Sequence, residues 1–131
     1  MTTAQFTIDC TGDACTGDTI LFTETVWGGS YRKPYRVGDR TIAAKVVRDS
    51  YGAAKQQHTF TIEVLWSRGV DPLAPGQTTT RKGRNIYRHG TRRMPWDNEA
   101  ERRPVLDDKH SRGASARRVR AIRRDAEMGF Y

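Results

Sequence analysis

No aliphatic or aromatic run in the 131 residues exceeds three, the length of Ile20-Leu21-Phe22. A bilayer-spanning helix needs about 20 apolar residues, so none is expected. The start, Met1-Thr-Thr-Ala-Gln-Phe-Thr-Ile-Asp-Cys10, has neither the basic nor the apolar region of a secretory leader. A soluble, cytoplasmic protein is the expectation. Cysteine is equally scarce: only Cys10 and Cys15 occur, in a tandem repeat with Asp13 and Asp18 closing its two copies. A structural zinc site takes four ligands at defined spacing, and His58, His89 and His110 are too scattered to complete one. Reduced thiols in a polar loop are favoured over a local disulfide or a metal pair. Asp9, Asp13 and Asp18 lack the alternate-residue spacing of a calcium loop. No metal is expected.

Signatures of catalysis are missing as well. Trp27-Gly28-Gly29-Ser30 lacks the Lys-Ser/Thr ending of a phosphate-binding loop, so no nucleotide cofactor is implied. The best catalytic grouping is Asp49, Tyr51, Lys55, His58 and Glu63, with His58 as general base and Lys55 as anion binder. Glu63 is followed by Val64 and Leu65, which departs from the Glu-x-Lys strand of a metal-dependent nuclease. A nucleic-acid-processing enzyme built on His58 stays an alternative, and the favoured reading is non-enzymatic.

What the chain does have is basicity, unevenly placed. Residues 1–80 hold 8 Lys/Arg against 8 Asp/Glu, whereas residues 81–131 hold 15 against 7 and so carry the whole net charge of +8. Charge confined to one segment is an electrostatic device, most often for phosphate. The organisation expected is a neutral β core over 1–70, a turn-rich connection over 71–80, and a basic hairpin with a helical extension over 81–131. With 18 Arg and 5 Lys, the basic residues favour the planar group that binds phosphate bidentately and stacks on bases.

Within the neutral part, Thr19–Val26 is rich in β-branched residues and predicts a strand. A polar, Pro-broken connection over 30–35 and a turn at Val37-Gly38-Asp39 precede a second strand over Thr41–Arg48. The clearest period-two signal is His58–Trp66, which puts Phe60, Ile62, Val64 and Trp66 on one face. The fold class is α+β: a small antiparallel β-barrel or sandwich, then a basic β-hairpin and C-terminal helices. Thr16-Gly-Asp-Thr-Ile-Leu-Phe22 followed by Thr41-Ile-Ala-Ala-Lys-Val-Val47 resembles the strand rhythm of PUA-like small barrels, including the ASCH group, over residues 16–66. The resemblance implies RNA or nucleotide binding and carries over no site residue.

In the basic part, His89-Gly90 between short runs predicts a tight hairpin. Arg84, Ile86 and Arg88 would share one face of it, and Asn85 and Tyr87 the other. Its expected nucleic-acid contacts are Arg81, Lys82, Arg84, Tyr87, Arg88, Arg92 and Arg93. Trp96 is expected to anchor in the core, and Asp97 to cap a helix that Pro104 interrupts or restarts and Gly113 stops. A last helix over 114–128 carries a narrow stripe of Val119, Ile122 and Ala126 and a wide basic face. Arg112, Arg117, Arg118, Arg120, Arg123 and Arg124 are its expected phosphate contacts. The favoured partner is nucleic acid, DNA or RNA. The alternative is an interaction protein, of the kind encoded by phages or plasmids, that docks on an acidic or nucleic-acid-lined surface of a larger complex. No membrane partner is expected, because the apolar stripe is too thin.

Overall fold

The computed structural model of the chain describes residues 2–51 and 58–127. After a 3-10 turn at Thr3–Gln5 come β1 (Ile8–Asp9), β2 (Thr19–Gly29), β3 (Pro34–Tyr51), β4 (His58–Gly69), β5 (Thr78–Lys82), α1 (Gly83–Tyr87), β6 (Thr91–Arg93) and α2 (Glu99–Glu127). The strands form one six-stranded sheet in the order β1-β6-β2-β3-β4-β5, with every pairing antiparallel. A strand-rich α+β fold followed by a helix is therefore borne out. No described helix is long and apolar enough to cross a membrane.

The alternating side chains of the long strands build the core. Ile20 and Phe22 of β2, Ile42, Ala44 and Val46 of β3, and Phe60, Ile62 and Val64 of β4 are buried. On β4 the expected face holds through Val64; Leu65 then bulges between the pairs Ala44 with Val64 and Ala43 with Trp66, and Trp66 is only half-buried. Glu24 shares the inward face of β2 with Ile20 and Phe22 by the same alternation. Its carboxylate meets Arg81 Nε of β5 at 2.8 Å. In a flat sheet, strands three places apart are about 14 Å apart, so the sheet is curled toward closure. Ile86 of α1 fills the inside of that curl, fully buried, and α1 touches β2, β4 and β5.

Several expectations are corrected. The connection is present at residues 30–33, but its last two residues, Pro34 and Tyr35, and the expected turn at Val37-Gly38-Asp39 lie within β3, which starts at Pro34. Val37 is accommodated as a bulge, because Val26 pairs with Gly38 and Trp27 with Arg36. The expected hairpin over 81–93 is instead strand, helix, strand: β5 pairs with β4, and β6 lies between β1 and β2. Burial of Ile86 imposes the helical turn, which leaves Arg84, Asn85 and Arg88 exposed and Tyr87 half-buried in place of the two alternating faces. Gly90 does adopt positive φ (87°), but it ends α1, its amide donating to the Tyr87 carbonyl at 3.0 Å. Residues 78–82 and 91–93 are thus members of the sheet that holds the neutral strands.

The C-terminal helices are one helix. Asn98, rather than Asp97, accepts from a first-turn amide, that of Ala100, at 3.0 Å. Pro104 lies inside α2 without ending it, since its missing N–H costs only one hydrogen bond near the start. Gly113 is buried within it. Three side chains fasten the helix to the barrel. Arg102 pairs with Asp18, Lys109 donates to the Ala14 carbonyl at 2.7 Å, and Arg112 pairs with Asp49. Trp96 anchors as expected, its indole N–H donating to Asp18 Oδ1 at 2.7 Å. Its ring lies so close to Gly17 that a Cβ there would come within 2.8 Å, at a φ of +96° that already favours glycine. Cys10 and Cys15 are unbridged and lie in the loop between β1 and β2, as expected, with both side chains buried.

Candidate nucleic-acid interface

Most of the arginines picked out by sequence have distinct fates. Arg93 is buried and donates through both terminal nitrogens to Glu99, at 2.9 and 2.7 Å. The pair holds the Glu99 carboxyl at about 2, well below its usual range, helped by the Trp96 amide. Arg112 spans Asp49 and Asp108, and Arg81 is committed to Glu24. Tyr87, expected on an exposed ribbon, points its hydroxyl inward, where it accepts from the Ala14 amide at 3.2 Å and from Lys109 Nζ at 3.3 Å. Lys82, Arg84, Arg88, Arg92, Arg117 and Arg118 are exposed. Arg118 lies 3.1 Å from the Ser115 hydroxyl, while the side chains of Arg120, Arg123, Arg124 and Ala126 lie outside the described residues. Val119 and Ile122 are exposed and do not form a covered stripe.

Among the described catalytic candidates, Asp49 is paired with Arg112, and Glu63 is exposed farther along β4. Lys55 lies outside the described residues. His58 sits half-buried against the Phe60 ring, with centroids 4.1 Å apart. Burial pushes its pKa down to about 4, and the nearby Lys109 ammonium adds to the effect. Among the described residues, no group of three His, Cys, Asp or Glu side chains is placed to hold a metal ion.

A different set of residues gathers where β2 meets α1. A cleft of about 160 Å³ is lined by Glu24, Thr25 and Trp27 of β2, by Arg81 of β5, and by Asn85, Arg88 and His89 at and after α1. Its floor is a closed charge cluster. Arg81 Nε donates to Glu24 Oε1 at 2.8 Å, and Arg40 Nη2 donates to Oε2 at 2.8 Å. Burial pushes the Glu24 carboxyl up, but the two guanidiniums outweigh it and hold it below its usual range. Both carboxylate oxygens are thereby occupied, so the floor presents little free negative charge. The wall is Trp27, 58% exposed despite its large apolar ring.

Trp27 is continuous with the tip joining β2 to β3. Tyr31 is fully exposed there and Tyr35 is 60% exposed, with Arg32, Lys33 and Arg36 among them. The tip is a built turn: the Lys33 amide donates to the Ser30 carbonyl at 3.2 Å and to its hydroxyl at 3.1 Å. Gly29, at φ +83°, lets the chain pass, since a Cβ there would lie 2.6 Å from the Lys33 carbonyl. A Cβ on Gly28 would strike the Tyr35 ring at 2.9 Å, so the ring rests on bare backbone. Sequence reasoning treated this segment as a connection. The signal was present as aromatics and cations alternating around Gly28-Gly29 and Pro34, the composition that tracks nucleic-acid backbones and stacks on bases. The cleft position of His89 had no signal in the sequence, because only the α1 turn brings it and Asn85 into one cleft with Trp27.

Among proteins of known sequence, the chain is 43% identical over 125 residues to the zinc finger CCCH domain-containing protein 62 of Oryza sativa subsp. japonica. The match covers 92% of this chain and 18% of that relative, so the chain corresponds to a small part of its length. No solved structure matches it. Residues 15–96 match the profile of a family described as a domain of unknown function, DUF7699. That span runs from Cys15 to Trp96 and includes β2 through β6, the tip and the cleft, and on this match the chain belongs to the DUF7699 family.

Proposed function

We propose that this chain is a non-enzymatic nucleic-acid-binding module whose contact face is the β2–β3 tip together with the α1–β6 side of the barrel. The observation that carries the reading is that exposed Trp27 lines one cleft with exposed Arg88 and runs on into a tip bearing exposed Tyr31, Tyr35, Arg32 and Lys33, while Arg84 and Arg92 are exposed on α1 and β6. Exposed rings of this size carry an unfavourable hydration cost, and cations beside them suit a partner with both flat faces and phosphates. The basic excess of the second part of the chain supports the same class of partner. The rice relative is named for a zinc finger, and zinc fingers include nucleic-acid readers, which lends further support. The likeness to PUA-like barrels over residues 16–66 belongs to this proposal, and the curled antiparallel sheet supports it.

The exposed arginines of α2, Arg117 and Arg118, add a second basic surface to the proposal. The test is fluorescence anisotropy with single- and double-stranded DNA and RNA at several salt concentrations. If four or five cations reach phosphates, the logarithmic salt slope on single strands is about −3. Absence of binding to all four ligands at low salt sinks the proposal.

A further inference from the structure

Resting on the nucleic-acid reading above, we infer that the cleft between β2 and α1 is a pocket for one unpaired nucleobase, stacked on Trp27 with its phosphate held by Arg88. The volume sets the size of the occupant. Pockets for drug-sized ligands begin at about 300 Å³, and this cleft, at about 160 Å³, takes a single planar ring system with the sugar left outside. The lining sets the chemistry. Trp27 offers a flat apolar face, and Asn85 brings an amide that both donates and accepts, the pattern that reads a base edge. Arg88 and His89 stand at the α1–β6 turn, where a guanidinium can meet the backbone of the same nucleotide.

The floor argues against an occupant of another class. Glu24 has both oxygens engaged by Arg81 and Arg40, so no free carboxylate remains in the cleft to bind a cation or the amine of a peptide. A simple phosphate site would have no use for an exposed indole. The pocket also discriminates by pairing state: a base within a duplex has both faces covered by its neighbours and must be unstacked and unpaired, at a cost, before it can enter a cleft whose wall is Trp27. Tyr31 and Tyr35 continue the aromatic surface from Trp27 along the β2–β3 tip, giving adjacent bases of the same strand further faces to rest on.

The experiment compares an oligouridylate, an oligodeoxythymidylate and the matching abasic strand of equal length, by anisotropy at fixed low salt. The intact protein should bind the base-bearing strands about tenfold more tightly than the abasic one. Trp27→Ala should remove that preference, Trp27→Phe should retain most of it, and Asn85→Ala should reduce it. Circular dichroism confirms that each variant folds. The ribose and deoxyribose arms report which sugar the pocket accepts, and tighter binding by either one over its abasic partner supports the inference. Equal affinity of the intact protein for base-bearing and abasic strands overturns it and leaves the phosphate-binding module standing. No binding to any strand overturns both.

Discussion

Arg102 of α2 donates through Nε to Oδ1 of Asp18 at 2.8 Å and through Nη2 to Oδ2 at 2.9 Å, although Asp18 is completely shut off from solvent. The Trp96 indole and the Cys15 amide supply two further donors to the same carboxylate. A buried charge is tolerated when every lone pair is met, and here one acid ties the segment before β2 to both ends of the Trp96–Arg102 stretch. Removing one partner strands the other.

Arg102→Met should therefore lower stability by about 3–5 kcal/mol, read by urea unfolding with circular dichroism. The double variant Asp18→Asn with Arg102→Met should recover part of the loss, because the uncompensated charge is gone. A double variant no more stable than Arg102→Met would show that the carboxylate was not the source of the cost.

His58 makes stability depend on pH between the carboxylate range and neutrality. Its pKa is about 4 in the fold against 6.5 in the unfolded chain, so the unfolded state binds the proton first. Stability is then complete above pH 6.5, declines as pH falls toward 4, and loses nothing further from this group below that. The decline is at most about 3 kcal/mol. His58→Gln should flatten the unfolding midpoint across that window, and a curve as steep as the parent's would refute the assignment.

Both thiols should be inert in the native protein. Burial, the foremost cause, pushes Cys10 and Cys15 each up to about 12, with Asp18 adding to the rise. Thiolate is the reactive form, so labelling by iodoacetamide at pH 8 should await unfolding and reach two thiols per chain in urea. Rapid labelling of the folded protein would contradict the burial.

The exposed and the buried arginines should separate cleanly in binding experiments. Arg88→Ala and Arg92→Ala should each weaken oligonucleotide binding and reduce the salt slope by about 1, with unchanged unfolding midpoints. Arg93→Ala should instead lower the midpoint, since it leaves Glu99 without its partner and opens the buried site beside β6. The salt slope and a thermal melt, measured on the same three variants, check both halves.

The strands that carry the core were legible because alternation survives in the sequence: Phe60, Ile62 and Val64 had to share a face wherever β4 went. The Gly90 turn was legible for the same kind of reason, a local conformational demand. What joined across that turn was not. A dipeptide suited to positive φ ends a helix as readily as it closes a hairpin, and only the burial of Ile86 decides between them. Internal pairing of the arginines was equally hidden. Arg81 meets Glu24, Arg102 meets Asp18 and Arg112 meets Asp49, acids far distant along the chain, so a basic run gives no hint of which cations turn inward. The tip at Trp27 to Arg36 was visible in composition but obscured by Pro34, whose position at the first residue of β3 is one that a strand tolerates.

The sheet order imposes a timetable. β2, β3 and β4 are sequential neighbours and can meet as soon as each emerges, but β1 pairs only with β6, which is itself inserted beside β2. Ile8 and Asp9 therefore wait for Thr91–Arg93 before they acquire a partner, and Asp18 waits longer still for Arg102. Contacts that span so much chain close slowly. β1 thus stays unpaired until β6 has been made, about 80 residues later along the chain, and β6 completes it.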